Sequence, residues 1–304
     1  SLQLGGSDLV LAQAGDVTVN NAANLRSRGR TSPLLTAQSI GGGGGFTTIV
    51  NNPLFNQTIV LGSNGLSNGN AGDVNVTNSG GLVSTGASSS AMVVQSIGGG
   101  GGIARRLGSE ALSFDLQLGS IDAEDARGGN VDVTNNGRGI FTTGDYARPL
   151  LVQSIGGGGG WITTNVDAST EALLGATTAS GNTSAGNVNV DNNATLSSTG
   201  KGAAALVAQS VGGGGGLIGD QAGSVVMGSV RSSGFASGGS VQLTNSAAIT
   251  TSGLAAPAAL AQSIGGGGGR STNLSGDLRM GIVTSRGSLT AHGNAVTLPT
   301  PVST

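Results

Sequence analysis

Five times along the chain a short apolar strand runs straight into five consecutive glycines: TAQSIGGGGG, VVQSIGGGGG, LVQSIGGGGG, VAQSVGGGGG and LAQSIGGGGG. Glycine loses more backbone freedom on folding than any other residue, so such a run is costly inside a fold and expected in a linker. A linker has no reason to keep register. Here the glutamines before the runs, Gln38, Gln95, Gln153, Gln209 and Gln262, are spaced by 57, 58, 56 and 53 residues. The runs open at Gly41, Gly98, Gly156, Gly212 and Gly265. The glycines therefore belong to a folded repeat.

Two further motifs keep step. The first reads AGDVTVNN, AGDVNVTN, GGNVDVTN, AGNVNVDN and GGSVQLTN, with its leading valine at Val17, Val74, Val131, Val188 and Val241 and a weaker sixth copy at Val296. The second reads LRSRG, LVSTG, IFTTG, LSSTG and ITTSG. Both alternate apolar and polar residues over a few positions between Gly and Asn, which is the period-2 signature of strands. No amphipathic helical pattern competes with it. Asn20, Asn78, Asn135, Asn192 and Asn245 are taken as equivalent corner residues, since Asn tolerates left-handed backbone and bonds to its own main chain. Asp16, Asp73, Asn130, Asn187 and Ser240 share another position, and that mixture suits turn hydrogen bonding rather than acid–base work.

With 59 glycines in 304 residues, 9% charged residues and 2% aromatics, no thick core built on rings is available. Disorder is excluded as well, because it pairs low hydrophobicity with high net charge and the net charge here is −2. A periodic Gly/Asn/Thr/Val composition points to a solenoid. The sequence pI near 5.2 argues against a nucleic-acid partner. Cysteine is absent, and no apolar run approaches the length that spans a bilayer.

The whole repeat divides into three steps of 19: Val74, Val93, Leu112 and Val131 stand 19 apart. This predicts an all-β, right-handed parallel β-helix of about 19 residues per coil, three coils per repeat, each coil stacking on the next as solenoid units do. Residues 1–304 then form one continuous β-solenoid, with repeats at 15–71, 72–128, 129–185, 186–238 and 239–293 and partial repeats at both ends. About 16 coils at ~4.8 Å would make a rod of roughly 75–80 Å. Two longer coils, each half a repeat, are the alternative division. On the 19-residue step, Gly98–Gly102 would lie over residues 79–83. Five side-chain-free positions there predict close backbone packing; a corner requiring positive φ or a partner groove are the other readings.

Candidate chemistry is sparse. The single histidine, His292, reads as a solvated residue. Asp122, Glu124 and Asp125 beside Arg127 lack the regular spacing of a calcium loop and read as a polar protrusion. Arg26, Arg28 and Arg30 are the nearest basic cluster and are assigned to an outer face. The residue after each glycine run, Phe46, Ile103, Trp161, Leu217 or Arg270, is mostly apolar and expected to turn inward. No catalytic, cofactor-binding or metal-ligating residue is assigned, and the chain is read as a non-enzyme.

The string TNSGGLVSTG…MVVQSIGGGGG and its four counterparts resemble a repeat of large bacterial autotransporter passengers, and the shorter rhythm resembles filamentous-haemagglutinin-like adhesins. The resemblance implies a secreted protein at the bacterial cell surface, with a C-terminal outer-membrane barrel outside these residues. The expected role is a shaft or stalk segment of a large adhesin serving attachment or aggregation. The expected partners are other copies of itself or host, surface or matrix molecules, with no nucleic acid and no membrane insertion by these residues. A self-associating extracellular filament or biofilm fibre is the alternative, and a polysaccharide-active β-helix enzyme the lesser one. Variable segments 103–127 and 161–183 are the expected protrusions.

Overall fold

Each alternating segment finds its partner one whole repeat away. In the computed structural model, which describes residues 2–5, 11–50, 57–63, 66–107, 114–274, 277–281, 284–290 and 293–297, Val17–Asn21 pairs in parallel with Val74–Asn78. The ladder continues through Val131–Asn135, Val188–Asn192, Val241–Asn245 and Val296–Thr297, a six-stranded V-x-V sheet. Leu25–Ser27, Leu82–Ser84, Ile140–Thr142, Leu196–Ser198 and Ile249–Thr251 stack into a short sheet. Leu35–Ile40, Met92–Ile97, Leu150–Ile155, Leu206–Val211 and Ala259–Ile264 form the glutamine sheet. The segments after the glycine runs build a nine-stranded arm sheet, and Leu66–Asn68, Asp122–Glu124, Thr178–Ser180, Arg231–Phe235 and Thr284–Thr290 a closing sheet. The fold is an all-β, right-handed parallel β-solenoid. No helix among the described residues is long and apolar enough to cross a membrane.

The coil, however, is the entire repeat. Glutamine bonds to glutamine across 57, 58, 56 and 53 residues, so the 19-residue coil is wrong. Val74 registers with Val131. Val93 lies in a different sheet, registered with Thr36 and Leu151, and Leu112 lies outside the described residues. The 19-residue walk stepped from one sheet to the next within a coil. Strand spacing around a coil is close to that same step, so spacing alone cannot tell three strands in one coil from three coils. The V-x-V sheet is six strands deep, about 24 Å at ~4.8 Å per step, in place of the roughly 75–80 Å expected.

The long coil encloses several cores. Inward residues of the V-x-V, short and glutamine sheets, such as Val74, Val76, Leu82, Met92 and Val94, form the main one. The glutamine strands of the middle coils are buried along their whole length. Their other face contributes Val93, Leu151 and Val207 to a second cluster with Ile103, Trp161 and Leu217. Two-sided burial explains why this strand reads as a nearly unbroken apolar run. Within the arm, Ala104 and Ile162 pack against Leu116, Leu118, Ala172 and Leu174. Segments 103–127 and 161–183 are thus this packed arm and the closing sheet rather than protruding loops, apart from residues 108–113, which lie outside the described residues. Fully burying a Val or Leu contributes about 1.5–3 kcal/mol. A single coil has no neighbour to supply that burial.

One corner repeats in a strained form. Thr31, Ser88, Tyr146 and Ala255 hold φ of 53, 52, 57 and 53°, and the equivalent Gly202 holds 64°. Left-handed backbone costs a non-glycine residue roughly 1–2 kcal/mol, so stacking must enforce it.

Excising residues 74–130, one whole coil, joins Asp73 to Val131 in register. That shortened chain is expected to keep the β-type circular dichroism per residue and a cooperative melt. Excising residues 74–92 is expected to abolish the cooperative transition; if both deletions melt alike, the whole-repeat coil is wrong.

Candidate functional site

The glycine runs stack on one another: Gly101 registers with Gly44 and Gly159, and Gly159 with Gly215. They do not lie over residues 79–83. Within the run 156–160, each glycine answers a specific constraint. A Cβ on Gly156 would overlap the carbonyl groups of Thr183 and Ser184 in the same coil, and one on Gly158 would sit 2.7 Å from Gly119 Cα. A Cβ on Gly159 would overlap the Gly215 carbonyl of the next coil, and one on Gly160 the Gly102 carbonyl of the previous one. Gly157 to Gly160 hold φ of 82, 87, 137 and 135°. Close packing and positive φ therefore act together. The run also joins two walls: Gly157 N–H donates to Ala126 O at 2.9 Å, while Gly157 O accepts from Ala176 N–H at 2.9 Å.

The residues just before the glycines tie coil to coil. Gln38 Nε2 donates to Gln95 Oε1 at 2.7 Å, Gln95 to Gln153 at 2.7 Å, Gln153 to Gln209 at 2.9 Å and Gln209 to Gln262 at 2.6 Å. The next residue faces the other way. Ser96 Oγ donates to Gly72 O in its own coil at 2.8 Å and accepts Gly129 N–H of the next coil at 2.8 Å, and Ser39, Ser154 and Ser210 repeat the arrangement. A third ladder runs Asn21, Asn78, Asn135, Asn192, Asn245 with Nδ2–Oδ1 distances of 2.7, 2.8, 2.7 and 2.6 Å. Its first member is Asn21. Asn20 registers with Thr77 instead, because the asparagine lies four residues after the valine in every copy. Asp16, Asp73, Asn130 and Asn187 each accept a backbone N–H from the equivalent residue of the next coil at 2.7–2.9 Å, which is the turn role their exchangeability implied.

On the surface, Arg26, Arg28 and Arg30 are at least partly exposed. Asp125 caps the backbone N–H of Asn182, and His292 lies outside the described residues. Among the described residues, no group of three His, Cys, Asp or Glu is placed to hold a metal. The outer face of the arm carries a groove of about 490 Å³. One of its files runs Thr58, Asp115, Glu171, Ser224 in register, and beside it run Val60, Gln117, Leu173, Val226. Asp277 and Arg279 line its far end.

Ile103, Trp161 and Leu217 turn inward as expected and are fully buried, whereas Phe46 is 45% exposed. A second feature escaped the sequence reading. Two residues beyond Ile103, on the same face, Arg105 is 1% exposed with its guanidinium 4.2 Å from the Phe46 ring and 5.8 Å from the Trp161 ring. Arg148, from the left-handed corner, is fully buried 5.6 Å from Trp161 and donates to Tyr146 O and Gly202 O at 3.1 and 3.4 Å. Desolvation pushes both guanidinium groups down to about 9, and Arg270 pushes Arg148 the same way. The signal available beforehand was the Arg105–Arg106 pair, whose first member occupies an inward strand position.

Comparison with protein-family models, with curated proteins and with solved structures yields no match to this chain.

Two substitutions test the glycine spine and a third the glutamine ladder. Gly159→Ala combines positive φ with backbone overlap and is expected to destabilise by at least about 4 kcal/mol. Gly15→Ala, with no atom within 4 Å of its Cβ, is expected to be neutral or to stabilise by up to about 1 kcal/mol. Gln153→Leu leaves the Gln95 donor and the Gln209 acceptor unpaired, at about 1–3 kcal/mol each. Urea denaturation reads all three, and equal midpoints would contradict the assigned roles.

Proposed function

We propose that the chain is a shaft segment of a large secreted bacterial surface adhesin, serving attachment or cell aggregation. The observation that carries this reading is the coupling of the ladders to the groove. Glutamine, serine and asparagine ladders hold successive coils in one register, and that register lines the groove with equivalent residues from coil after coil. A stack of this kind holds distance and presents a surface. The autotransporter-like repeat strings point the same way, and with them extracellular or outer-membrane-anchored placement. Fold alone does not name a ligand; the groove and the variable arm are where this reading puts contact with host, surface or matrix molecules.

A second reading, self-association into an extracellular filament, is favoured by the polarity of the glutamine ladder. Every step of the ladder from Gln38 to Gln262 donates in the same direction along the stack, a polarity that suits head-to-tail contact between copies. Head-to-tail contacts of this type build open filaments where the rotation does not close a ring.

Display of the chain on a non-adherent bacterium is the test. Attachment to abiotic or host-cell surfaces, or settling of the culture, is expected to rise several-fold. Val226→Lys in the groove is expected to reduce it without lowering the melting temperature. Unchanged attachment on display would overturn the adhesive reading, and sedimentation that grows with concentration in purified material would favour the filament.

A further inference from the structure

The compartment around Trp161 holds donors without acceptors. Among the described residues, Arg105 Nε, Nη1 and Nη2 have no hydrogen-bond partner, nor do Trp161 Nε1, Thr163 Oγ1 and Arg148 Nε. These groups are neighbours. Arg105 registers directly with Thr163 of the next coil, and Trp161 precedes Thr163 by two residues on the same strand face. A guanidinium over an aromatic ring engages it through its π face, while its N–H groups lie in its own plane and stay available. The Arg105 guanidinium carbon lies over the Phe46 ring, 4.2 Å from its centroid.

Charge argues in the same direction. A buried cation without a counter-charge carries a large desolvation penalty. Arg105 and Arg148 are 1% and 0% exposed, and no carboxylate figures among the groups that shift either one. At about 9, both remain protonated at neutral pH. Water would supply acceptors but no charge, whereas an anion with several oxygens supplies both.

We propose that this compartment is a binding site for a small oxyanion, a phosphate, sulfate or carboxylate group, held by Arg105, Thr163 Oγ1 and Trp161 Nε1 with Arg148 as the second positive charge. The site is independent of the shaft reading. It belongs to one place in the solenoid, since the positions equivalent to Arg105 are Thr48 and Thr163 in the adjacent coils.

Trp161 is the only tryptophan and reports on the site directly. The whole chain is titrated with inorganic phosphate, and in separate arms with sulfate and acetate, at ionic strength matched with chloride. Tryptophan emission and the melting temperature are followed together. A saturable emission change in the millimolar range or below, with a melting-temperature rise at the same midpoint, is expected in at least one arm. Saturation by phosphate and sulfate alone assigns a tetrahedral group; saturation by acetate assigns a carboxylate. Arg105→Met is expected to remove the saturable change, and Arg148→Met to raise its midpoint at least tenfold. Should Arg105→Met fail to fold, the wild-type titration and Arg148→Met decide. The absence of saturation in all three arms, or a wild-type midpoint in Arg148→Met, overturns the proposal.

Discussion

Backbone meeting backbone in the glycine runs is the contact from which the coil takes its dimensions. The third glycine of a run lies against the single glycine that ends the returning arm strand, as Gly158 does against Gly119. The fourth and fifth lie against the carbonyls of the runs in the next and previous coils. No side chain fits between them, so only another glycine run can stack there. The distance from run to run along the chain therefore fixes the coil, and the remaining sheets fall into register around it. The entropic cost of ordering these glycines is offset by the backbone bonds and the side-chain packing that this registration makes available to every other strand.

The polar ladders add specificity that apolar stacking lacks. A file of valines accepts any apolar strand as its neighbour. A glutamine file does not, because a slipped strand would leave one amide donor and one acceptor buried without partners, at about 1–3 kcal/mol each. Gln95, Gln153 and Gln209 are fully buried, so that penalty applies in full to the middle coils. Ser96 and its equivalents perform the same service on the opposite face, each fastening its own coil and the next to one hydroxyl. Adjacent residues of the Q-S pair thus lock the two faces of one strand.

Much of this was legible in the sequence, and the failures have identifiable causes. The strands, their apolar faces and the equivalence of the five glutamines and five valines follow from period-2 alternation and repeated strings. The coil length does not, because strands a third of a repeat apart occur around a single turn as readily as along three. What distinguishes the cases is identity: glutamine bonds glutamine and glycine covers glycine only at the full repeat. Asn20 stands beside Asn21 at the same turn; the four-residue spacing from the valine singles out Asn21 in the sequence itself, and the ladder bond to Asn78 agrees with it. The buried arginines were illegible for a different reason. Arg105 occupies a position held by threonine in the coils on either side, and the aromatic rings that receive it come from separate coils.

The repeat divides its variation unevenly, and this bears on where recognition resides. Valine and glutamine of one copy stand at 17 and 38, 74 and 95, 131 and 153, 188 and 209, 241 and 262, a separation that is nearly constant. The stretch from glutamine onward to the next valine is less even: it is longer from Gln38 to Val74 than from Gln209 to Val241. The main lobe is thus held constant while the arm absorbs length, and the register shifts near Thr163, Val166 and Thr170 mark where it does so. Differences in the arm cost the stack little because the ladders that fix register lie outside it. The outer groove is built on the arm, and Arg105, Trp161 and Thr163 stand on its first strands. Chemistry that differs from coil to coil is therefore concentrated in the one part of the coil free to differ.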